Sequence, residues 1–206
     1  MSYCDLSVSG FAAALASDSS VPGGGGACAL CGALAAALGS MVGSLTLRKK
    51  KNADVTDELA ALLEESEHLR AELLSMIDTD GEAFAPLARV YSLPSDTPGR
   101  VELMEDCLRG AARAPLHIVE LCGRVLGVLE RFAECGSKSV LSDAAAAAAI
   151  VNGAAAGAAV TVKINAASMR DRAFAETLCG QVDTLVCEYS ARADEIYAAV
   201  CDKLGI

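Results

Sequence analysis

Apolar positions recur at helical spacing along almost the whole chain. Over residues 6–16 the apolar side chains Leu6, Phe11 and Leu15 fall on one side of a helix. Gly23, Gly24, Gly25 and Gly26 follow a Ser-rich break and Pro22. Four successive glycines predict a loop, because glycine gives up the most conformational freedom when held in a helix. Residues 27–47 are nearly all apolar and carry Gly32, Gly39 and Gly43. A helix with no polar face is expected to be centrally buried. The basic run Arg48, Lys49, Lys50 and Lys51 ends it, placing cations at the negative end of the helix dipole.

A third helix is predicted from Asp54 or Thr56 to residue 90. Leu59, Leu62, Leu63, Leu69, Leu73 and Ile77 form its apolar stripe. Thr56 reads as its N-cap and Pro86 as a kink or interruption near its end. Residues 92–99 hold two prolines and predict a loop. A fourth helix is expected over 100–135, with Pro115 as a kink point. A fifth covers 141–167, capped by Ser142 or Ser139. A sixth runs from Asp171 or Phe174 to residue 203. No stretch alternates like a strand, and no linker or repeat divides the chain. The expected fold is all-α: a single domain over residues 1–206, built as a bundle of five or six long helices with short connections.

Composition sharpens this picture. The chain is 53% hydrophobic and 21% charged, enough to bury a sizeable core. Aromatics make up only 4% and Trp is absent, which speaks against a β-sandwich or barrel. A net charge of −10 speaks against a general nucleic-acid or anionic-membrane surface. Residues 144–162 are long enough to cross a bilayer. They are mostly Ala and Gly, however, contain Asn152 and lie between Asp143 and Lys163, so a buried helix is expected and no membrane span. The nine cysteines are odd in number and sit among apolar residues, and no secretory signal opens the chain. These features suit a reducing cytoplasm, with most thiols acting as small buried hydrophobes. Cys28 and Cys31 form a lone CxxC, a poor metal site, and no metal is expected.

Five groups of residues are candidates for chemistry. A glycine run opening onto a helix N-terminus binds an anion or carbonyl through backbone N–H groups, or else lets helices cross closely. It is neither a Walker loop nor a dinucleotide fingerprint, because no Gly-Lys-Ser/Thr follows and no strand precedes it. The basic run is either a solvated face or an anion clamp. In the segment Asp78-Thr79-Asp80-Gly81-Glu82, Asp78 and Glu82 share one helix face, whereas Asp80 shares another with Phe84. Facing inward, Asp80 would have a raised pKa and suit general acid/base work; facing outward, the segment is an exposed acidic turn. Ser142 and Asp143 read as a helix start that also offers a carboxylate to a facing site. Of the two histidines, His68 reads as a solvated residue among glutamates, and His117 as one that could line a pocket. Neither has a companion for metal binding or for a nucleophile triad.

Several motifs occur together in order. They are Phe11-x3-Leu15-Ala16-Ser17, Val21-Pro22 with the glycine run, Gly32-Ala33-Leu34, Leu38-x2-Met41-Val42 and Leu45-Thr46 with Lys49-Lys50-Lys51. Asp78-x-Asp80-x2-Ala83-Phe84, Leu93-Pro94, Ala114-Pro115-Leu116, Ser142-Asp143 and Asn165 follow. Spread over nearly the whole chain, this set resembles the cyclodeaminase family. That family comprises the C-terminal domain of formimidoyltransferase-cyclodeaminase and its free-standing relatives, some described as methenyltetrahydrofolate cyclohydrolases. Gly26 stands where the family usually carries Ser, and Arg48 and Asn52 flank the three lysines where it usually has Gly and an aromatic.

The resemblance implies a helical homodimer that converts 5-formiminotetrahydrofolate to 5,10-methenyltetrahydrofolate with release of ammonia. It implies Asp80 as the catalytic group, with Asp78 second. Substrate binding would fall to Gly23, Gly24, Gly25, Gly26 and Asp143, with Lys49, Lys50 and Lys51 on the glutamate tail of a polyglutamylated folate. No metal or redox cofactor is called for, and a formimidoyltransferase is the expected partner. A cyclohydrolase, a non-catalytic folate-binding protein and a purely structural helical protein remain the alternatives.

Overall fold

The structure, a computed structural model, describes residues 2–49 and 53–206, with side chains from Thr56 onward in the second stretch. It holds six α-helices: α1 (Val8–Leu15), α2 (Gly24–Leu47), α3 (Ala53–Tyr91), α4 (Arg100–Cys135), α5 (Leu141–Ala167) and α6 (Arg172–Leu204). Short 3-10 turns at Tyr3–Asp5 and Lys138–Val140 complete it, and no strand occurs among the described residues. The all-α bundle expected from the periodicity is what forms.

Small residues set the spacing of the helices. On α2, Gly32 is approached by Leu73, Gly39 by Ser66 and Leu129, and Gly43 by Phe132 and Leu63. Rising numbers on α2 therefore meet falling numbers on α3, so the two run antiparallel. The same holds for α5, since Thr161 lies against Gly24 and Gly157 against Cys28. α4 packs on α2, α3, α5 and α6 and forms the centre of the core, with Leu121, Leu126, Leu129 and Phe132 fully buried.

Several local expectations are revised. The glycine run is not all loop: Gly24, Gly25 and Gly26 form the first turn of α2, where backbone N–H groups need no partner one turn back. Thr56 lies inside the first turn of α3, not before it, and α3 and α4 continue through Pro86 and Pro115. α5 starts after Val140 with no side-chain cap, so neither Ser139 nor Ser142 serves. Asp171 does cap α6, accepting the Phe174 N–H at 3.0 Å. Of the cysteines only Cys122 is fully buried, while Cys4, Cys31 and Cys187 are exposed.

Central burial of α2 is only half realised. Both α2 and the segment Lys138–Ala167 are long and apolar enough to cross a membrane, by length and composition, and half of each apolar window is buried inside the bundle. The remainder faces outward: Leu34 and Met41 on α2, and Ile150, Val160 and Ile164 on α5, are exposed.

Candidate functional site

The first turn of α2 meets Asp80 of α3. A Cβ placed on Gly25 would lie 2.3 Å from Asp80 Oδ1, so any larger residue there requires the carboxyl to move. Gly23, the N-cap residue, contributes no side-chain hydrogen bond. Asp80 supplies one from the neighbouring helix instead, accepting the Gly26 N–H as an N-cap side chain would. Burial pushes the Asp80 carboxyl above its ordinary value of 3.8, and the Gly26 N–H, which favours the ionised form, offsets this only in part. At Gly26 a Cβ would meet nothing closer than 3.5 Å, so an added Cβ fits this backbone.

Asp80 opens into a cavity of about 160 Å³. Gly23, Gly24 and Gly25 form one wall, and Val21 and Phe84 give it apolar surface. Phe84 is one turn beyond Asp80, as the helical spacing predicts. Thr161 and Asn165, one turn apart on α5, close another side, with Ala111 of α4 and Ser20 beside them. Thr161, Ala111 and Ser20 carry no signal of their own in the sequence. The four-residue interval between Thr161 and Asn165 is the one pattern that could have paired Thr161 with the site. Cys28 stands one turn along α2, its thiol pushed up to about 11 by burial, then by Cys31 and Asp80. It stays protonated near neutral pH and is a poor nucleophile.

Asp78 lies outside this cavity. It accepts hydrogen bonds from the Ser2 hydroxyl and, at 2.7 Å, from the Tyr3 N–H. Desolvation pushes its carboxyl up, but the bonds from Ser2, Tyr3 and Cys4 outweigh it and hold Asp78 below the usual carboxylate range. The Tyr3 hydroxyl in turn donates to the Val21 carbonyl at 3.1 Å. Asp78 thus anchors the N-terminal turn that braces the rim of the pocket.

Lys49 and Asp143 sit at the other end of the bundle. α2 has 24 residues, about 36 Å at 1.5 Å per residue, and Lys49 follows its far end. The Lys49 ammonium donates to the Ser139 hydroxyl, just before α5 begins. Asp143 is in the first turn of α5, which has 27 residues, whereas Thr161 and Asn165 are near its last. The structure therefore brings Asp80 together with the glycine run but separates both from Lys49 and Asp143 of the same chain. Lys50 and Lys51 lie outside the described residues.

The histidines belong to neither end. Both meet Glu72, His117 Nε2 at 2.9 Å and His68 Nε2 at 3.5 Å, with Arg124 alongside at 3.5 Å. His117 does not line the pocket, contrary to the expectation from Pro115. Another cavity, about 310 Å³ between α4 and α6, is lined by Glu130, Arg131, Arg192 and Lys203. Two of these charges pair with each other, Arg192 Nε with Glu130 at 2.6 Å. Among the described residues no group of three His, Cys, Asp or Glu side chains is arranged to hold a metal ion.

A partly buried carboxyl whose pKa is raised, set against a helix N-terminus in a pocket with an apolar wall, is equipped to take up and return a proton. Comparison with known proteins gives this arrangement a family. The family model described as formiminotransferase-cyclodeaminase matches residues 7–184. A methenyltetrahydrofolate cyclohydrolase of Methylorubrum extorquens is 39% identical over 195 residues, covering 93% of this chain and 94% of that protein. A formimidoyltransferase-cyclodeaminase of Mus musculus is 32% identical over 93% of this chain, which spans only 36% of the mouse protein. The crystal structure of formiminotetrahydrofolate cyclodeaminase from Thermotoga maritima superposes with a TM-score of 0.81 at 29% identity, covering 98% of this chain and 96% of that one. The chain belongs to the formiminotransferase-cyclodeaminase family.

Proposed function

We propose that this protein converts 5-formiminotetrahydrofolate to 5,10-methenyltetrahydrofolate with release of ammonia, and that Asp80 carries the proton between the two nitrogens involved. The observation behind this reading is the burial of Asp80 against the first turn of α2 in a pocket shared with Phe84 and Asn165.

N10 of the folate attacks the formimino carbon, and the π pair of the C=N bond moves onto the exocyclic nitrogen. The resulting tetrahedral carbon holds N5, N10 and an amino group. Asp80, as carboxylate, takes the N10 proton and then delivers it to the amino group. Ammonia leaves as the N5 lone pair forms the new C=N bond, and the substrate's single positive charge ends on the methenyl bridge. Burial brings the carboxyl pKa closer to those of the groups it serves, which eases both transfers. Holding N10 against the formimino carbon supplies a further share of the acceleration. Phe84 offers a face to the pterin or aminobenzoyl ring. The reaction calls for no metal or redox cofactor.

Within one chain the pocket, at about 160 Å³, is smaller than the roughly 300–1,000 Å³ of common small-molecule sites. A homodimer supplies the rest in this reading. α2 and α5 both border the pocket and both expose apolar side chains. Pairing through them about an axis perpendicular to the helices sets the two copies antiparallel. The Lys49 end of one copy then approaches the Asp80 end of the other, where Lys49 can meet the glutamate tail. A formimidoyltransferase working beside it in the cytoplasm would supply the substrate.

Hydrolysis of the methenyl bridge is the second reading. It is favoured by the Methylorubrum relative, which this chain matches over nearly its full length. The test is the absorbance of 5,10-methenyltetrahydrofolate, followed from 5-formiminotetrahydrofolate with wild type and Asp80→Asn. Product from wild type, reduced about 10²–10⁴-fold in the variant, is the expected result. Disappearance of added methenyltetrahydrofolate, with none formed from the formimino compound, assigns the hydrolase instead.

A further inference from the structure

We infer that Asn165 Oδ1 accepts a hydrogen bond from the exocyclic nitrogen of the substrate's one-carbon unit, and so selects an N–H group over an oxygen at that position. The inference rests on the folate reading above. Its basis is the way Asn165 is held. The residue is only 8% exposed. Its Nδ2 donates to the Ala111 carbonyl at 3.3 Å and to the Thr161 carbonyl at 3.0 Å. Both partners are carbonyl oxygens, which only accept, so the amide nitrogen must face them and cannot exchange places with the oxygen. Both amide hydrogens are thereby used.

Oδ1 is what remains. Among the described residues, Arg100 Nε is the one buried side-chain polar atom left without a partner. Asn165 Oδ1 is therefore not sealed in the core; it is open to the cavity that Asn165 lines together with Asp80. The pocket thus presents a fixed acceptor beside a carboxyl group.

A protonated formimino nitrogen carries hydrogens and no lone pair, as does the ammonium it becomes before leaving. Such a group suits the acceptor. A formyl oxygen at the same place carries lone pairs and no hydrogen, and would face Oδ1 with like charge. A buried group built to pair with one partner disfavours an analogue that leaves it unpaired.

Binding to Asp80→Asn, in which turnover is slowed, reads this directly. The probes are 5-formiminotetrahydrofolate, 5-formyltetrahydrofolate and 5-methyltetrahydrofolate, measured by calorimetry. The expected preference for formimino over formyl is about tenfold or more, the scale of a hydrogen bond to a charged group. Adding Asn165→Leu, similar in branching but without polar atoms, should bring that ratio to within about threefold of unity. The 5-methyl compound, which has no N–H or oxygen there, should move by less than about threefold.

An unchanged formimino-to-formyl ratio overturns the inference. So does a common loss for all three ligands in a folded variant, which would make Asn165 a packing residue. Circular dichroism and thermal unfolding establish folding, and Asn165→Ser replaces the Leu variant if that one unfolds early. Failure of all three folates to bind the folded Asp80→Asn protein overturns the folate reading itself, and the inference with it.

Discussion

Gly25 and Asp80 stand so close that no side-chain atom fits between them: a Cβ on Gly25 would lie 2.3, 2.4 and 2.5 Å from the three atoms of the Asp80 carboxyl group. The contact joins the start of one helix to the carboxyl of another, and it fixes where that carboxyl sits. The position of the proposed catalytic group is thus set by the absence of a side chain 55 residues earlier (80 minus 25).

Gly25→Ala should therefore displace Asp80 and break its bond to the Gly26 N–H. Overpacking of this kind lowers stability by about 1–3 kcal/mol, and turnover should fall at least tenfold, on the order expected for misplacing a catalytic group. Gly26→Ser is the control. Its Cβ meets nothing closer than 3.5 Å, so urea unfolding should change by less than about 1 kcal/mol. Equal activity in Gly25→Ala and wild type would mean that Asp80 is free to move.

The two aspartates of the motif should respond to pH with opposite signs. Asp80 is raised above 3.8 in the folded protein, so the folded state holds its proton more tightly than the unfolded chain does. Its effect is that stability declines as pH climbs from 3.8 through the raised value. Asp78 is lowered, so it stabilises the fold above 3.8 and that contribution is lost as pH falls through its folded pKa. Urea midpoints measured across the acid range should show a shallower decline on the rising side for Asp80→Asn, and a shallower loss on the falling side for Asp78→Asn. Identical profiles for both variants would remove the distinction between a buried acid and an anchoring one.

The exposed apolar face of α2 and α5 should mediate self-association. Leu34→Asp combined with Val160→Asp should convert a dimer to a monomer in analytical ultracentrifugation. In the same double variant the KM for a polyglutamylated folate should rise to that for the monoglutamate. Lys49→Ala should produce a partial rise that shrinks with added salt, because exposed charge attraction is screened. A wild-type monomer with full activity would exclude the shared site.

Helix periodicity made the bundle legible, because each long helix carries its own apolar stripe and its own stop. The helices that periodicity predicts over 100–135 and 141–167 have the same bounds in the structure. What sequence reading missed depends on contacts between helices. The glycine run reads as a loop because its cap comes from Asp80, on another helix. Thr161 and Ala111 have no distinguishing chemistry until α4 and α5 are packed together. The separation of Lys49 from the glycine run within one chain has a different basis. The single helix predicted between them over residues 27–47 already implies about 32 Å at 1.5 Å per residue.

Asp80 also has a duty that is independent of substrate. It completes the first turn of α2 in place of an N-cap side chain, so the fold itself draws on an oxygen at this position. A lineage that abandoned the chemistry would still be under pressure to keep an acceptor there, with Asn an adequate replacement and Ala a poor one. Retention of a polar residue at position 80 is then weak testimony that a relative is active, whereas the choice between carboxylate and amide is strong testimony.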